Sequence, residues 1–321
     1  MPHVLVAGLL HPSGLALLRD SPGVTFDHVE EISEPSYAPL IGNAEALVIR
    51  TQPLSAETIQ SAHRLRVVSR HGVGYDAIDL ASLNARGIAL AICGDVNSVS
   101  VAEQAMLLML AVAKRAITGD RAVRAGDWAW RNRLEQGELW GRRLLVAGFG
   151  RSGRRLAGMA AGFGMEIRAF DPFLAAAGWP EGPVAATATL AEGLRWADFV
   201  SLHAPRTDRP LIGAAELALM KPTAVVVNTA RGGLVDEAAL IAALASGRLA
   251  GAGLDVLADE PPRPDNPLLA MDRVVLSPHV AGLTAESAER MAVASVRNAL
   301  DFLAGRLAPA LLVNGDAIHV R

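Results

Sequence analysis

Short runs of apolar residues alternate along the chain with longer stretches rich in alanine and leucine. The runs have the length and the β-branched content of buried strands, and the stretches between them have helical spacing. Ten runs fit this description: HVLVAG, EALVIR, LRVVSR, GIALAI, RRLLVAGFG, EIRAFD, FVSLHA, AVVVNTA, GAGLDV and VVLSPH. Strands that alternate with helices are typical of parallel sheets with crossover helices, so the pattern predicts the α/β class.

The predicted strands fall into two groups, separated by a helical segment from about Val99 to Gly126. We interpret this segment as the bridge between two domains. After the last strand, near His279, the stretch AESAERMAVASVRNALDFLAG has the spacing of an amphipathic helix, with nothing sheet-like beyond it. A terminal helix often packs against the first domain. We therefore expect one discontinuous domain, residues 1–97 plus 286–321, and a second domain formed by residues 98–285.

Length and composition narrow the class of protein. The 321 residues agree with two domains at about 150 residues each. With 51% hydrophobic residues and a net charge of −3, the chain favours a globular fold and gives no basic surface for nucleic acid. The single cysteine, Cys93, excludes an internal disulfide and a thiolate metal cage, and we predict no metal site.

Signals for export or for a membrane are absent from the sequence. The apolar run from Ala105 to Ala113 is far shorter than the roughly 20 residues that a bilayer span needs, and it predicts a buried helix. The N-terminus has no basic segment before its first apolar run, unlike a secretory signal. We expect a cytoplasmic protein with no membrane partner.

A glycine-rich turn follows the first strand of the second group. The segment LLVAGFGRSG contains Gly148-x-Gly150-x-x-Gly153 between a strand and a helix, the arrangement that binds a dinucleotide pyrophosphate at a helix N-terminus. Asp171 ends the next strand, about 20 residues later, where a carboxylate accepts the ribose hydroxyls of NAD and repels a 2′-phosphate. An Asp before Pro172 also suits an ordinary turn. The pattern favours NAD as the cofactor.

Three polar residues follow later strands of the same group. Arg231 lies in NTARGGLVDE, Glu260 in LDVLADEPP and His279 in LSPHVAG. Singly, these residues are typical of a surface charge, a turn and a structural histidine. Together, at strand ends beside a nucleotide loop, they match hydride transfer to or from a secondary alcohol. That chemistry needs a proton-exchanging imidazole, a carboxylate that holds it and a guanidinium that polarises the carbonyl.

A second glycine turn lies in the first group of strands. The segment RHGVGYDAID can turn successive N–H groups of the backbone toward a carboxylate, as an anion nest does. A plain glycine turn explains the same residues equally well.

These motifs resemble the NAD-dependent D-isomer-specific 2-hydroxyacid dehydrogenases, which include phosphoglycerate dehydrogenases and glyoxylate/hydroxypyruvate reductases. The resemblance covers nearly the whole chain and rests on VAGFGRSG, NTARGGLVDE, GLDV…DEPP and SPHVAG, with support from HGVGYDAIDL and SVAEQAMLLMLA. It implies a Rossmann nucleotide-binding domain inserted into a flavodoxin-like substrate domain, and a homodimer formed largely through the nucleotide domains.

The resemblance also implies roles for individual residues. His279 is the implied acid/base, Glu260 its partner, and Arg231 the residue that binds substrate and polarises the carbonyl. Besides the three loop glycines, the implied cofactor contacts are Arg151, Ser152, Asp171, Thr229, Ala230, Asp255, His279 and Gly282. The implied substrate contacts, in addition to Arg231, are Arg50, Val73 and Gly74.

The sequence departs from the family pattern at a few positions. Gln104 stands where many members have histidine, and Ala204 replaces a more common threonine or leucine; we expect neither to stop catalysis. Formate dehydrogenases of the superfamily have glutamine at the position of Glu260, which argues against that activity.

Two classes of function stay open at this point. The favoured one is an NAD-dependent oxidoreductase that interconverts a D-2-hydroxy acid and its 2-oxo acid, with phosphoglycerate, hydroxypyruvate or glyoxylate as candidate substrates. The alternative is a non-catalytic NAD-sensing module, because corepressors share this scaffold. The sequence alone leaves open the substrate, the physiological direction and the strictness of NAD over NADP, and Arg50 and Arg131 could each serve a second anionic group or be solvated.

Overall fold

The computed structural model describes residues 1–318, which form two compact units. The first unit contains Met1–Asn97 and the chain from Leu283 onward, and the second contains Ser98–Gly282. Each unit is built on one parallel β-sheet with helices between the strands, which confirms the predicted α/β class.

The sheet of the first unit has the strand order of flavodoxin-like folds. Its elements are β1 (His3–Ala7), α1 (Pro12–Arg19), β2 (Thr25–Val29), α2 (Glu34–Tyr37), β3 (Ala46–Ile49), α3 (Ala56–Ser61), β4 (Val67–Arg70), α4 (Leu80–Ala85) and β5 (Ala89–Ile92). The five strands are parallel in the order β2-β1-β3-β4-β5. The apolar runs predict every strand except β2, an edge strand whose residues are only partly buried.

The second unit has the strand order of a Rossmann domain. Its elements are α5 (Ser98–Ala113), α6 (Ala116–Arg124), β6 (Arg143–Ala147), α7 (Arg151–Gly162), β7 (Glu166–Phe170), α8 (Pro172–Ala177), β8 (Ala185–Ala186), α9 (Leu190–Trp196), β9 (Phe199–Leu202), α10 (Ala214–Leu219), β10 (Val225–Asn228), α11 (Glu237–Ala245), β11 (Gly251–Leu254) and β12 (Val274–Leu276). Its parallel strands are ordered β12-β11-β10-β9-β6-β7-β8. The order reverses between β6 and β9, and ligands of such sheets bind outside the carboxyl ends of the strands at that point.

Helices cover both faces of the second sheet. In β6, Leu144 and Val146 join one core cluster with α5 and α7, whereas Leu145 and Ala147 join another with α9, α10 and α11. Side chains alternate between the two faces of a strand, so a sheet that is covered twice needs apolar residues at every position. This explains why the strands are continuous apolar runs in the sequence.

The predicted long helix between the two groups of strands is two helices. The prediction of one helix from Val99 to Gly126 was wrong, because α5 ends at Ala113 and α6 begins at Ala116. Arg115 between them has a φ of +53°, a left-handed conformation that ends the helical hydrogen-bond ladder. Most of the apolar run within α5 is buried, as predicted, but Leu107 is exposed.

The C-terminal helix, α12 (Ala285–Leu303), completes the first unit. Met291 accepts a weak contact from Cys93 Sγ through its carbonyl, and Ser69 Oγ donates to the carbonyl of Ser295 at 2.7 Å. The buried side chains of Ala292, Val296 and Ala299 share a core cluster with strands β1, β3, β4 and β5. Beyond α12, one isolated antiparallel bridge joins Leu312 to Ala91, so the expectation of nothing sheet-like there was wrong at this residue.

Short 3-10 turns complete the described structure, at Ala38–Asn43, Trp128–Arg133, Gly232–Leu234, Pro267–Ala270, Pro309–Leu311 and Gly315–Ala317. None of the helices in residues 1–318 combines the length and apolar character needed to cross a bilayer. The same residues contain no group of three or more His, Cys, Asp or Glu side chains that could hold a metal ion.

Candidate active site

The glycine loop joins β6 to α7 at the switch point of the second sheet. Gly148 has a φ of +96°, and a Cβ there would lie 2.6 Å from the carbonyl of His203. A Cβ at Gly153 would overlap the carbonyl oxygen of Gly148, whereas a Cβ at Gly150 would meet nothing within 4 Å. The first and third glycines are therefore required by packing, and the second leaves open space at the N-terminus of a helix.

Asp171 connects this loop to the next helix. Its Oδ2 accepts a hydrogen bond from Phe149 N at 2.9 Å, and its Oδ1 accepts bonds from Phe173 N at 3.0 Å and Leu174 N at 3.1 Å. A carboxylate has about four lone-pair sites, so three bonds do not exhaust its capacity as an acceptor. Asp171 thus caps α8 and still carries a negative charge at the carboxyl end of β7.

The residues around the loop fit a dinucleotide. The first N–H groups of α7 have no partners inside the helix and lie at the positive end of its dipole, where phosphate binds favourably. Arg151 in the first turn is exposed and Ser152 is partly exposed. On β10's carboxyl side, Thr229 Oγ1 is buried with no hydrogen-bond partner among the described residues, so it can bond to a ligand.

His279 and Glu260 form a hydrogen-bonded pair. His279 Nδ1 lies 2.7 Å from Glu260 Oε2, and both side chains are substantially exposed. With Nδ1 bonded to the carboxylate, the proton that His279 can exchange with a ligand is the one on Nε2. The second oxygen of Glu260, Oε1, accepts a bond from Leu257 N at 3.1 Å, which fixes the carboxylate.

The backbone at His279 is held in an uncommon conformation. His279 has a φ of +53°, which costs a residue with a Cβ on the order of 1–3 kcal/mol. Asp255 holds this turn, because its backbone carbonyl accepts a bond from His279 N at 2.8 Å and its carboxylate accepts bonds from Val280 N at 3.0 Å and Ala281 N at 2.8 Å. Ser277 Oγ also donates to the carboxylate at 2.5 Å.

Asp255 is 1% exposed, so the structure shows it as the anchor of the histidine loop. Its contact with the cofactor stays a prediction, as does that of Gly282. Gln104 in α5 extends the same network, because its Nε2 donates to Ser277 Oγ at 2.9 Å. Gln104, which departs from the family pattern, therefore has a structural role in this network.

Arg231 lies in the turn after β10. The Asn228 side chain holds this turn from both sides, because its Nδ2 donates to the Arg231 carbonyl at 2.7 Å and its Oδ1 accepts a bond from Ala230 N at 3.0 Å. A Cβ at the next residue, Gly232, would overlap the carbonyl oxygen of Leu257. The turn that carries Arg231 thus packs directly on the loop that carries Glu260.

The structure therefore brings the three residues to one edge of one sheet. Arg231, Glu260 and His279 follow β10, β11 and β12, which are neighbours in the sheet and point in the same direction. The loop after β11 contacts both of the others, through Leu257 on one side and Glu260 on the other.

Arg50, Val73 and Gly74 lie in the first unit. Arg50 follows β3, and Val73 and Gly74 follow β4 in a turn where Gly72 has a φ of +135°. Gly72 N donates to Cys93 Sγ at 3.4 Å, and Arg70 Nη1 donates to the carbonyl of His71.

The neighbouring His71 is buried in the same turn. Burial, with the charges of Arg70 and Arg50, lowers the pKa of His71 to about 4. This carboxyl edge is therefore electropositive through its arginines while its histidine is neutral.

Residues 106–281 match the family model described as the NAD binding domain of D-isomer specific 2-hydroxyacid dehydrogenases. The chain belongs to this family. The resemblance inferred from the motifs is thus confirmed, and the match spans α5 to the loop of His279 in the second unit.

The chain is similar to glyoxylate reductases and to D-3-phosphoglycerate dehydrogenases. The glyoxylate reductase of Korarchaeum cryptofilum is 38% identical over 329 residues, covering 100% of this chain and 98% of that protein. The D-3-phosphoglycerate dehydrogenase of Methanocaldococcus jannaschii is 37% identical over 295 residues, covering 91% of this chain but 55% of that protein. The crystal structure of an NADPH-dependent glyoxylate/hydroxypyruvate reductase from Sinorhizobium meliloti has a TM-score of 0.88 at 27% identity, covering 99% and 100% of the two chains.

This D-2-hydroxyacid dehydrogenase is an NAD(H)-linked oxidoreductase that acts on CH–OH donors and interconverts hydroxy acids and oxo acids. The predictions of an enzyme and of its cofactor are confirmed. The relatives that match along their whole length are named glyoxylate reductases, and they favour an enzyme over the alternative of a non-catalytic NAD-sensing module.

Sequence reasoning missed several residues that shape the candidate site. Asn228 and Ser277 lie inside the quoted motifs, but their side-chain bonds depend on turn geometry that spacing does not show. Ser201 and His203 were also missed, and here a signal exists. They are two residues apart at the end of β9, so they lie on the same side of the strand, and a polar pair is unusual at the end of a buried strand.

Proposed function

We propose that this dehydrogenase reduces a short 2-oxo acid of the glyoxylate and hydroxypyruvate class to the D-2-hydroxy acid, using NADH. The relatives that match along their whole length are named glyoxylate reductases, and this supports the substrate class. D-3-phosphoglycerate is the second candidate, supported by relatives of that name and by Arg50 at the edge of the first unit's sheet.

His279 is the proposed proton donor, and its bond to Glu260 carries the proposal. The 2.7 Å contact at Nδ1 holds the ring, so that Nε2–H is the group that donates to the substrate oxygen. Arg231 binds the substrate carboxylate and polarises the carbonyl, because a guanidinium offers several donors in one plane. Bound NADH supplies the hydride. In the oxidative direction, neutral His279 accepts the hydroxyl proton.

The first unit is the proposed substrate domain and the second the NAD-binding domain. Val73 and Gly74 donate backbone N–H groups to the substrate carboxylate, as expected of an anion nest, and Arg50 adds positive charge. Arg151, Ser152, Thr229 and Ala230, with the loop glycines, hold the dinucleotide. Asp171 favours NAD, because its remaining lone pairs accept ribose hydroxyls and its charge repels a 2′-phosphate.

A homodimer through the second unit is also part of the proposal. Leu107, Ile117, Trp128, Leu134 and Trp140 are exposed on α5, α6 and the segment that follows. Trp130 packs on Gly119, so this segment lies against α6. Large exposed apolar side chains are typical of protein interaction surfaces, and a second copy of this chain is the proposed partner. The proposed location is the cytoplasm.

A substrate screen tests the proposal. NADH absorbance is followed with glyoxylate, hydroxypyruvate, pyruvate and 3-phosphohydroxypyruvate, in parallel with NADPH. We expect saturable oxidation of NADH with the highest kcat/KM for glyoxylate or hydroxypyruvate. A preference for 3-phosphohydroxypyruvate would replace the first candidate by the second. Silence with every acid would contradict both, and a preference for NADPH would contradict the role of Asp171.

A further inference from the structure

A hydrogen-bonded chain of three side chains runs from the end of β9 to the glycine loop. Ser201 Oγ lies 2.9 Å from His203 Nε2, and His203 Nδ1 lies 3.1 Å from Ser152 Oγ. Ser201 is fully buried, whereas Ser152 is partly exposed in the first turn of α7. The chain thus leads from the interior of the sheet to the helix end where the dinucleotide phosphates are proposed to bind.

The backbone of His203 is held against the end of β6 and the start of the glycine loop. His203 N donates to the carbonyl of Ala147 at 2.7 Å, and Gly148 packs on the His203 carbonyl so closely that a Cβ would lie 2.6 Å away. The imidazole therefore holds a defined position beneath the loop.

We propose that His203 is a positioning residue that turns the Ser152 hydroxyl outward as a hydrogen-bond donor to the cofactor pyrophosphate. The proposal rests on the proposed placement of the dinucleotide on the Gly148–Gly153 loop. In this proposal His203 acts on the cofactor through Ser152 and does not contact the substrate.

The direction of the chain follows from which groups can donate. A pyrophosphate has only hydrogen-bond acceptors, so the Ser152 hydroxyl must donate its single proton to it. Ser152 Oγ must then accept from His203 Nδ1–H, and Nε2 must accept the proton of Ser201. If the imidazole instead carried its proton on Nε2, Nδ1 would take the Ser152 proton and the serine would present lone pairs to the phosphate.

Burial keeps this imidazole neutral. It lowers the pKa of His203 to about 4, so near neutral pH the ring has one donor and one acceptor nitrogen. The Ser201 hydroxyl can donate to Nε2, so it is compatible with the tautomer that carries its proton on Nδ1.

A double-mutant cycle on NADH affinity tests the assignment, with the dissociation constant measured by fluorescence titration without substrate. Ser152→Ala should weaken binding about tenfold, as expected for a hydrogen bond to a charged group. His203→Phe, which removes both nitrogens, should weaken it several-fold in the wild-type background and have almost no effect in the Ser152→Ala background. His203→Asn, which retains a polar atom near the position of Nδ1, should restore most of the affinity.

Equal effects of His203→Phe in both backgrounds would overturn the role of His203, because a merely structural contribution does not depend on the Ser152 hydroxyl. If His203→Phe fails to fold, Ser201→Ala takes its place and should give a smaller loss that also vanishes with Ser152→Ala. Gly150→Val reports on the placement itself. If Gly150→Val binds NADH like the wild type, the dinucleotide does not bind at this loop, and the proposal for His203 is wrong as well. If Gly150→Val loses affinity but the Ser152 and His203 variants do not, the dinucleotide binds at the loop and the proposed role of His203 is wrong.

Discussion

At the scale of single residues, His279 is the side chain whose removal should cost most activity with least disturbance of the fold. The turn of His279 is held by the backbone bond from its N–H to Asp255. Its imidazole is half exposed and is hydrogen-bonded to Glu260. We expect His279→Ala to lower kcat by about 10²- to 10⁴-fold, the usual contribution of a general acid. Steady-state kinetics with the best substrate of the screen measures this.

Two comparisons control this prediction. NADH affinity of His279→Ala should stay near that of the wild type, and Glu260→Gln, which keeps an acceptor near Nδ1 but loses the charge, should lower kcat less than His279→Ala does. Comparable turnover by wild type and His279→Ala would remove His279 from the proposed mechanism.

The low pKa of the buried His71 predicts that the stability of the protein depends on pH. Its pKa is about 4 in the folded protein, against roughly 6.5 when unfolded, so between these values the unfolded chain binds a proton that the folded one does not. The free energy of unfolding should therefore fall as the pH falls through this window, by about 1.4 kcal/mol per pH unit for this residue. Its contribution is fully present above the unfolded pKa.

The variant His71→Gln, which cannot titrate, should show a shallower decline. Urea unfolding of both proteins between neutral pH and about pH 5 measures the two slopes. The buried His203 remains in the variant, so the slope should be reduced and not abolished. Parallel curves for the two proteins would contradict the assignment to His71.

At the scale of elements, the contact between the loops after β10 and β11 determines where Arg231 lies relative to Glu260. A methyl group at Gly232 would overlap the Leu257 carbonyl, so Gly232→Ala should push the two loops apart. A displacement of about 1 Å at a catalytic group can cost about 10²-fold in rate, and we expect a loss in kcat/KM of that order. Kinetic assay of the purified variant checks it.

The adjacent Gly233 is the matched control. A Cβ there meets nothing within 4 Å, and Gly233→Ala should retain wild-type kinetics. If both variants behave alike, packing on Leu257 does not position the turn of Arg231.

The elements also show what the sequence could and could not predict. The strands with both faces covered are continuous apolar runs and are predicted well, whereas the edge strands β2 and β8 carry partly or fully exposed residues and have no such signal. The break between α5 and α6 has no glycine or proline to mark it, because it depends on the left-handed conformation of Arg115.

The same distinction holds for the candidate site. Gly148, Gly153 and Asp171 could be found from spacing, because the turn and the helix cap impose local requirements. The bonds of Asp255 to the histidine loop and of His203 to Ser152 join segments 22 to 51 residues apart, and only the folded chain brings them together.

At the scale of the whole molecule, the proposed dimer can be tested through one exposed apolar side chain. Leu134 is 84% exposed in the segment that follows α6. Leu134→Glu should place a charge in the proposed interface and shift the protein toward monomer, because burying an unpaired charge is costly. Light scattering coupled to size-exclusion chromatography reports the mass.

Ile32, exposed in the first unit, provides the control substitution Ile32→Glu, which should leave the mass unchanged. A wild type that is monomeric at assay concentration would contradict the dimer outright. Equal masses for the dimeric wild type and Leu134→Glu would exclude Leu134 from the interface.

The first unit is made of two stretches of chain, and this has a consequence during translation. Its five strands leave the ribosome early, but α12, which buries Val4, Val67 and Ala89 with Ala292 and Val296, is synthesised only after the entire second unit. While the nucleotide domain is being made, this apolar sheet face is therefore covered only in part, by residues of α1 such as Leu18. Chaperones that recognise apolar surface would bind this sheet face, and the binding would end once α12 emerges and covers it.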